Sequence, residues 1–196
     1  KRFLQEARML ASLAHPNIVQ VYDVGVTQSQ VNYFSMQYLA NGDFAQRVRL
    51  GWSEKDLLRV LEGVANALGY AHLRGYVHRD VAPGNILFDA SDTPILTDFG
   101  IARAFSQTVG TSHYMSPEQA RGSDVDARSD LYGLGVLTWF GLTGKPPYEG
   151  ADGFAVSYAH VFEPIPRLPP GKEHWQTLID KALAKDPAER YQSAEE

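Results

Sequence analysis

Residues 131–142 run Leu-Tyr-Gly-Leu-Gly-Val-Leu-Thr-Trp-Phe-Gly-Leu without a single charge. A segment that is apolar on every side cannot lie on a surface, and this one falls short of the roughly 20 residues a membrane helix needs. It has to be a buried helix around which the rest of the chain packs. No other run in the 196 residues approaches a spanning length, and no signal peptide heads the chain. A chain of this size removes roughly 70% of its unfolded surface from water, so the core needs no disulfide or structural metal. With 44% hydrophobic and 21% charged residues, disorder, collagen and coiled coil are excluded. The absence of cysteine removes thiolate metal sites and catalytic thiols and fits a reducing compartment. A net charge of -5 is too mild to argue for nucleic acid or a membrane surface as partner. These features read as a soluble, cytoplasmic domain; any membrane segment would lie outside the given residues.

Around the apolar run the elements differ in kind. Apolar residues at Phe3, Ala7, Leu10 and Ala14, with Glu6 and Arg8 between them, predict an amphipathic helix that stops at His15-Pro16-Asn17. It begins without a cap, as a helix entered partway does. The β-rich runs 18–24 and 31–38 predict a hairpin. Asn41-Gly42-Asp43 breaks the chain before a short helix, and Trp52-Ser53-Glu54 caps a longer one through Leu57, Leu61, Val64, Leu68 and Ala71. A second, smaller hairpin turns at residues 89–92, between Ile86-Leu87-Phe88 and Ile95-Leu96. Helices and loops follow from Pro117 onward. The order is a few strands first, then a mainly helical body.

Two short strings flank the second hairpin: residues 78–85, His-Arg-Asp-Val-Ala-Pro-Gly-Asn, and residues 98–100, Asp-Phe-Gly. A hairpin returns the chain to its start, so Asp80, Asn85 and Asp98 must converge. Three oxygen-bearing side chains at one spot suit a hard cation such as magnesium, with one carboxylate left to orient a hydroxyl. Either string alone is most often an ordinary loop. Joined by a hairpin of the right length, they are not.

At these residues the chain resembles the eukaryotic-like protein kinases, most of all the bacterial serine/threonine kinases, and the resemblance runs through nearly its whole length. The order matches: Glu6 in helix C, the His15-Pro16-Asn17 turn, a hinge at Met36-Gln37-Tyr38-Leu39, the catalytic loop, Asp98-Phe99-Gly100, then Gly110-Thr111, Ser116-Pro117-Glu118, Asp130 and Arg190. The resemblance implies an α+β, two-lobe fold. Residues 1–38 would be the remainder of the small lobe, and residues 39–196 the large helical lobe. It further implies that Asp80 orients or accepts the substrate hydroxyl proton, and that Asn85 and Asp98 hold Mg2+ on the phosphates of ATP. Arg79 would be the partner of an activation-loop phosphate, with Ser106 and Thr108 as visible acceptors, and Thr111 a partner of Asp80. Glu6 would pair the lysine of a preceding strand. The backbone of Gln37 and Leu39 would meet the adenine edge, with Met36 behind the ring, Leu87 beneath it and Asp43 near the ribose. Glu118 and Arg190 would form a buried ion pair. The bland alternatives are that Met36 and Leu87 are core residues, Asp43 a helix cap and Glu6 a surface partner of Arg2.

Three departures stand beside the matches. The Gly-rich phosphate loop and its strand lysine are not in the given residues, and Lys1, five positions before Glu6 in the same helical run, cannot replace that lysine. Ala82 stands where the family's serine/threonine members carry a lysine, and Gly84 supplies no compensating arginine. Only residues 101–115 separate Gly100 from Ser116, a short activation segment that suggests residues missing between Phe105 and Val109. Two function classes follow: a serine/threonine protein kinase, or a pseudokinase that binds nucleotide or a partner without useful turnover. A small-molecule phosphotransferase is disfavoured by the segment from Gly110 to Gly122. Thr111 favours serine or threonine over tyrosine as acceptor.

Overall fold

The structure is a computed structural model and describes residues 10–99 and 111–196, with only the backbone of Thr111. Glu6, Gly100, Ser106, Thr108 and Gly110 lie outside the described residues, as do most of the helix predicted from Phe3 and residues 105–109.

Strands β1 (Val21–Val26) and β2 (Asn32–Met36) form an antiparallel hairpin in which Val24 faces Phe34. β1 starts later than the β-rich run predicts, because the residues before it pair elsewhere. The Val19 amide donates to the Leu96 carbonyl at 3.0 Å and the Leu96 amide to that of Asn17 at 2.8 Å. Residues 17–19 are thereby stitched to the second hairpin, β3 (Ile86–Phe88) and β4 (Pro94–Leu96), where Leu87 faces Ile95. Its turn is closed by Asp89, whose Oδ1 accepts from the amides of Ser91 and Thr93.

Helix α1 (Phe44–Arg49) is capped by Asp43, and α2 (Glu54–His72) by Ser53, as the cap signals predict. α2 buries Leu57, Val60, Val64, Leu68 and Ala71 on one face. The uncharged run forms most of α4 (Ala127–Thr143), capped by Asp126 and closed by left-handed Gly144. It packs between α2 and α6 (Gln176–Ala182), with α3 (Pro117–Arg121) and α5 (Gly153–Phe162) completing the helical body. Tyr132, Val136 and Leu137 are wholly buried, each contributing about 1.5–3 kcal/mol of apolar burial.

Glycine weakens a helix interior, yet α4 tolerates several. Each has a packing reason, and a Cβ on Gly141 would sit 2.4 Å from Leu57 Cδ1. A Cβ on Gly135 would sit 2.7 Å from that of Ala182, and one on Gly133 would sit 2.9 Å from that of Val81. The Gly133 contact brings the buried helix flush against residues 78–85. Among the described residues, no helix is long and apolar enough to cross a membrane.

Candidate active site

The site is built outward from Asp130, near the start of α4 and 1% exposed. Its Oδ2 accepts from the His78 amide at 2.7 Å and lies 2.8 Å from His72 Nε2, which must carry the hydrogen because a carboxylate only accepts. Its Oδ1 accepts from the Arg79 amide at 2.7 Å. One buried carboxylate thus holds two successive peptides of the catalytic loop and the end of α2. The His78 ring is buried beneath the loop, its Nε2 donating to the Thr97 carbonyl at 2.8 Å and its Nδ1 accepting from the Asp80 amide at 3.2 Å. Phe99 packs on that ring with centroids 4.4 Å apart.

The second hairpin then brings the two strings together, as the sequence predicts. Thr97 donates to the Asn85 carbonyl from its amide at 2.8 Å and its hydroxyl at 3.1 Å, closing the hairpin at its base. Asn85 ends the 3₁₀ turn Pro83–Asn85, and its Nδ2 donates to Asp80 at the carbonyl (2.8 Å) and Oδ2 (3.0 Å). Both partners are acceptors, so the amide nitrogen must face them, and Oδ1 has no donor among the described residues. Asp98 lies between buried Thr97 and Phe99 with φ 59°, and its carboxylate makes no hydrogen bond among the described residues. Burial pushes the Asp98 carboxyl above its ordinary value, and the neighbouring charge of Asp80 adds to the shift.

A carboxylate and an amide oxygen that have no donor among the described residues fit a hard cation. The set is no closed cage: among the described residues, no group of three or more His, Asp or Glu could hold a metal alone. That matches the habit of magnesium, which takes one or two carboxylates and completes its shell with phosphate oxygens and water.

Of the residues that the resemblance places around the nucleotide, Asp43 and Leu87 are paired by a β-bridge. The Gln37 amide donates to the Gln20 carbonyl at 2.9 Å, and Leu39 is half-buried. Met36 is 39% exposed and Leu87 half-buried, so the reading of both as core residues fails. Asp43 caps α1 through the Gln46 amide at 2.8 Å, as its bland reading holds, and the same residue bridges Leu87. Ala82 is extended and makes no side-chain bond. Arg79 is exposed, with no ion pair among the described residues. The side chains of Glu6 and Thr111 lie outside them.

On the far side of the catalytic loop, Glu118 and Arg190 form the buried pair that the resemblance implies. Arg190, 1% exposed, donates from Nη1 and Nη2 to the two Glu118 oxygens, both at 2.8 Å. Its remaining donors go to the carbonyls of Ala184 (2.7 Å), Arg128 (3.1 Å) and Lys185 (3.2 Å), so all five N–H bonds are used. Ser129 Oγ donates to Glu118 at 2.5 Å. Burial pushes the Glu118 carboxyl up, but these donors outweigh it and hold the group at about 2.

Sequence reasoning missed several members of this frame. Asp130 could be placed in a buried helix but not on the loop it holds; His72 gave no signal. His160, whose Nδ1 lies 2.7 Å from the Tyr132 hydroxyl and whose Nε2 lies 3.0 Å from the His113 carbonyl, was invisible too. Gln119 was legible in principle, since Ser-x-x-Gln at residues 116–119 is a capping-box signature.

The loop 78–85, an Asn–Asp pair across a hairpin and a helix anchored by a buried Glu–Arg pair occur together in one fold. The whole chain, residues 1–196, matches the protein kinase domain family. It is 38% identical over 215 residues to the serine/threonine-protein kinase PknB of Mycobacterium leprae and 38% identical over 216 residues to PknB of Mycobacterium tuberculosis. Each match covers 100% of this chain and 34% of the relative, so the chain spans about a third of the length of these relatives. The chain belongs to the protein kinase family.

Proposed function

We propose that this chain carries the catalytic part of an ATP-dependent serine/threonine protein kinase. The observation that carries the reading is the convergence of Asp80, Asn85 and Asp98 at the base of one hairpin, with Asn85 turned so that its nitrogen holds Asp80 and its oxygen has no donor among the described residues. When bound, Mg2+ would supply charge neutralisation on the phosphates of ATP, held by Asn85 Oδ1 and Asp98. Asp80, fixed through its amide by His78 and through Oδ2 by Asn85, would orient the acceptor hydroxyl and take its proton. Residues 1–38 are read as the remainder of a small lobe over this site. Met36, the Gln37 carbonyl, Leu39, Asp43 and Leu87 would line the nucleotide, with Glu6 pairing a lysine from a preceding strand. Thr111 would support Asp80, and Arg79 would answer a phosphate on the activation segment.

Ala82 favours a second reading, a pseudokinase that binds nucleotide or a partner. A methyl group cannot stabilise charge developing on the transferred phosphoryl. The retained Asp80, Asn85 and Asp98 support the first reading, since a scaffold has no need of all three. Calorimetry of ATP binding with and without magnesium separates metal-dependent binding from its absence. Magnesium should tighten ATP binding to the parent protein and have no such effect in Asp98→Ala; unchanged magnesium-dependent affinity in the variant would remove Asp98 from the metal site.

A further inference from the structure

The peptide joining Arg79 to Asp80 sets the origin from which the Asp80 carboxylate is aimed, and it is held at both ends. Its N–H, that of Asp80, donates to His78 Nδ1 at 3.2 Å. Its carbonyl, that of Arg79, accepts from Gln119 Nε2 at 2.9 Å. Arg79 has φ 69°, a region that a long-chain L residue seldom occupies, so its conformation must be imposed by its neighbours. Asp130 supplies one constraint, on the Arg79 amide. Gln119 supplies the other.

The two ends of the Gln119 amide face opposite tasks. Its Oε1 accepts from the Ser116 amide at 2.9 Å and lies 3.2 Å from Ser116 Oγ, closing the capping box of α3. Its nitrogen reaches across 40 positions of chain to the catalytic loop. The adjacent residue, Glu118, is locked on Arg190. Gln119 therefore carries the rigidity of the buried ion pair to the peptide beside Asp80.

We propose that Gln119 is a positioning residue for Asp80, which it holds through the Arg79 carbonyl, coupling the substrate-side helix α3 to the catalytic loop. The proposal rests on the reading of Asp80 as the group that orients the hydroxyl. It adds to that reading a mechanical link by which a displacement of α3 is transmitted to the acid.

Gln119→Glu isolates the link. A glutamate keeps an oxygen for Ser116, as in the common Ser-x-x-Glu capping box, but presents a second acceptor to the Arg79 carbonyl in place of a donor. The expected result is a Tm within about 2 °C of the parent. Single-turnover phosphoryl transfer should slow by about 10-fold to 100-fold, the scale of an ångström-level misplacement, with KM for ATP unchanged. The deficit should shrink as pH falls toward the glutamate's own range, because a protonated carboxyl can donate again. Amide hydrogen exchange at Asp80 should accelerate in the variant, a readout independent of turnover. If Gln119→Glu fails to fold, Gln119→Ala removes the donor without adding charge and should show the same slowing with no added pH dependence. Normal transfer in a folded variant overturns the proposal, whether or not exchange at Asp80 changes; so does slowed transfer with unchanged exchange. Asp80→Asn run in parallel keeps the two readings apart. Parent-level transfer in Asp80→Asn would sink the role of Asp80 itself, whereas a dead Asp80→Asn beside a normal Gln119→Glu would sink only the link.

Discussion

Asp130 and Glu118 are carboxylates surrounded by donors, while Asp80 and Asp98 are left short of them. Asp130 accepts from two amides and faces a histidine ring; Glu118 takes a bidentate guanidinium and a hydroxyl. Asp80 has a single side-chain donor, from Asn85, and Asp98 has none among the described residues. The first two are buried, and a buried charge persists only when its hydrogen-bonding capacity is filled. The second two are half-buried, with lone pairs that no other described residue fills. The saturated pair holds the frame still. The unsaturated pair is where a cation, a phosphate or a hydroxyl can be received.

The largest effect should come from breaking the saturated side. Arg190→Ala leaves Glu118 buried without its partner and should cost about 3–5 kcal/mol. In a chain of this size that corresponds to a fall in Tm on the order of 10 °C. The pH dependence sharpens the test. Glu118 has a folded pKa of about 2 against an ordinary 4.5, so its contribution is fully present above about 4.5 and is lost as pH falls toward 2. In the variant the stranded carboxylate prefers its proton, so acidification relieves it. The gap between parent and variant should therefore be widest near neutral pH and narrow in acid, as thermal melts across that range will show. A variant Tm within about 1 °C of the parent would mean that the pair carries no net stability.

Next in size is the charge absent at Ala82, on the unsaturated side. Ala82→Lys should raise phosphoryl transfer to a generic serine/threonine peptide by about 100-fold to 1000-fold, the scale of one lost charge-stabilising contact, with little change in ATP affinity. Equal or lower turnover would show that another group already supplies the charge. That outcome would also remove the main support for the pseudokinase reading.

The smallest effect is a gain. Because burial raises the Asp98 pKa, the folded state disfavours its charge, and the penalty is present above both the folded and unfolded values. It fades as pH falls below them. Asp98→Asn should therefore melt slightly higher than the parent at pH 7, by no more than about 2 °C, and lose that advantage below about pH 4. A variant less stable than the parent at neutral pH would mean that Asp98 is satisfied in the fold and not held in reserve for a cation.

Much of this was legible in the sequence for local reasons. Caps at Asp43 and Ser53 act within three residues, the turn at residues 89–92 is closed by its own aspartate, and the uncharged run of α4 has only one place to go. The convergence of Asp80, Asn85 and Asp98 was legible because a short hairpin is itself a local device. The beginning of β1 was not, since Ile18 and Val19 have the same β propensity whether they extend the first hairpin or pair with Leu96. Nor was the exposure of Met36, whose apolar side chain reads as core until the neighbours on its face are known.

The sequence alone determined the order of elements, the helix that must be buried, the hairpin that gathers the site and the family to which the chain belongs. Tertiary structure alone decided how each charge is answered. Arg79 meets Gln119 across 40 positions and Asp130 across 51. Periodicity reports neighbours three or four residues apart on a helix and two apart on a strand. Which donors reach which carboxylate is set by the packing of distant segments, and there the fold separates the acids it saturates from the acids it leaves open.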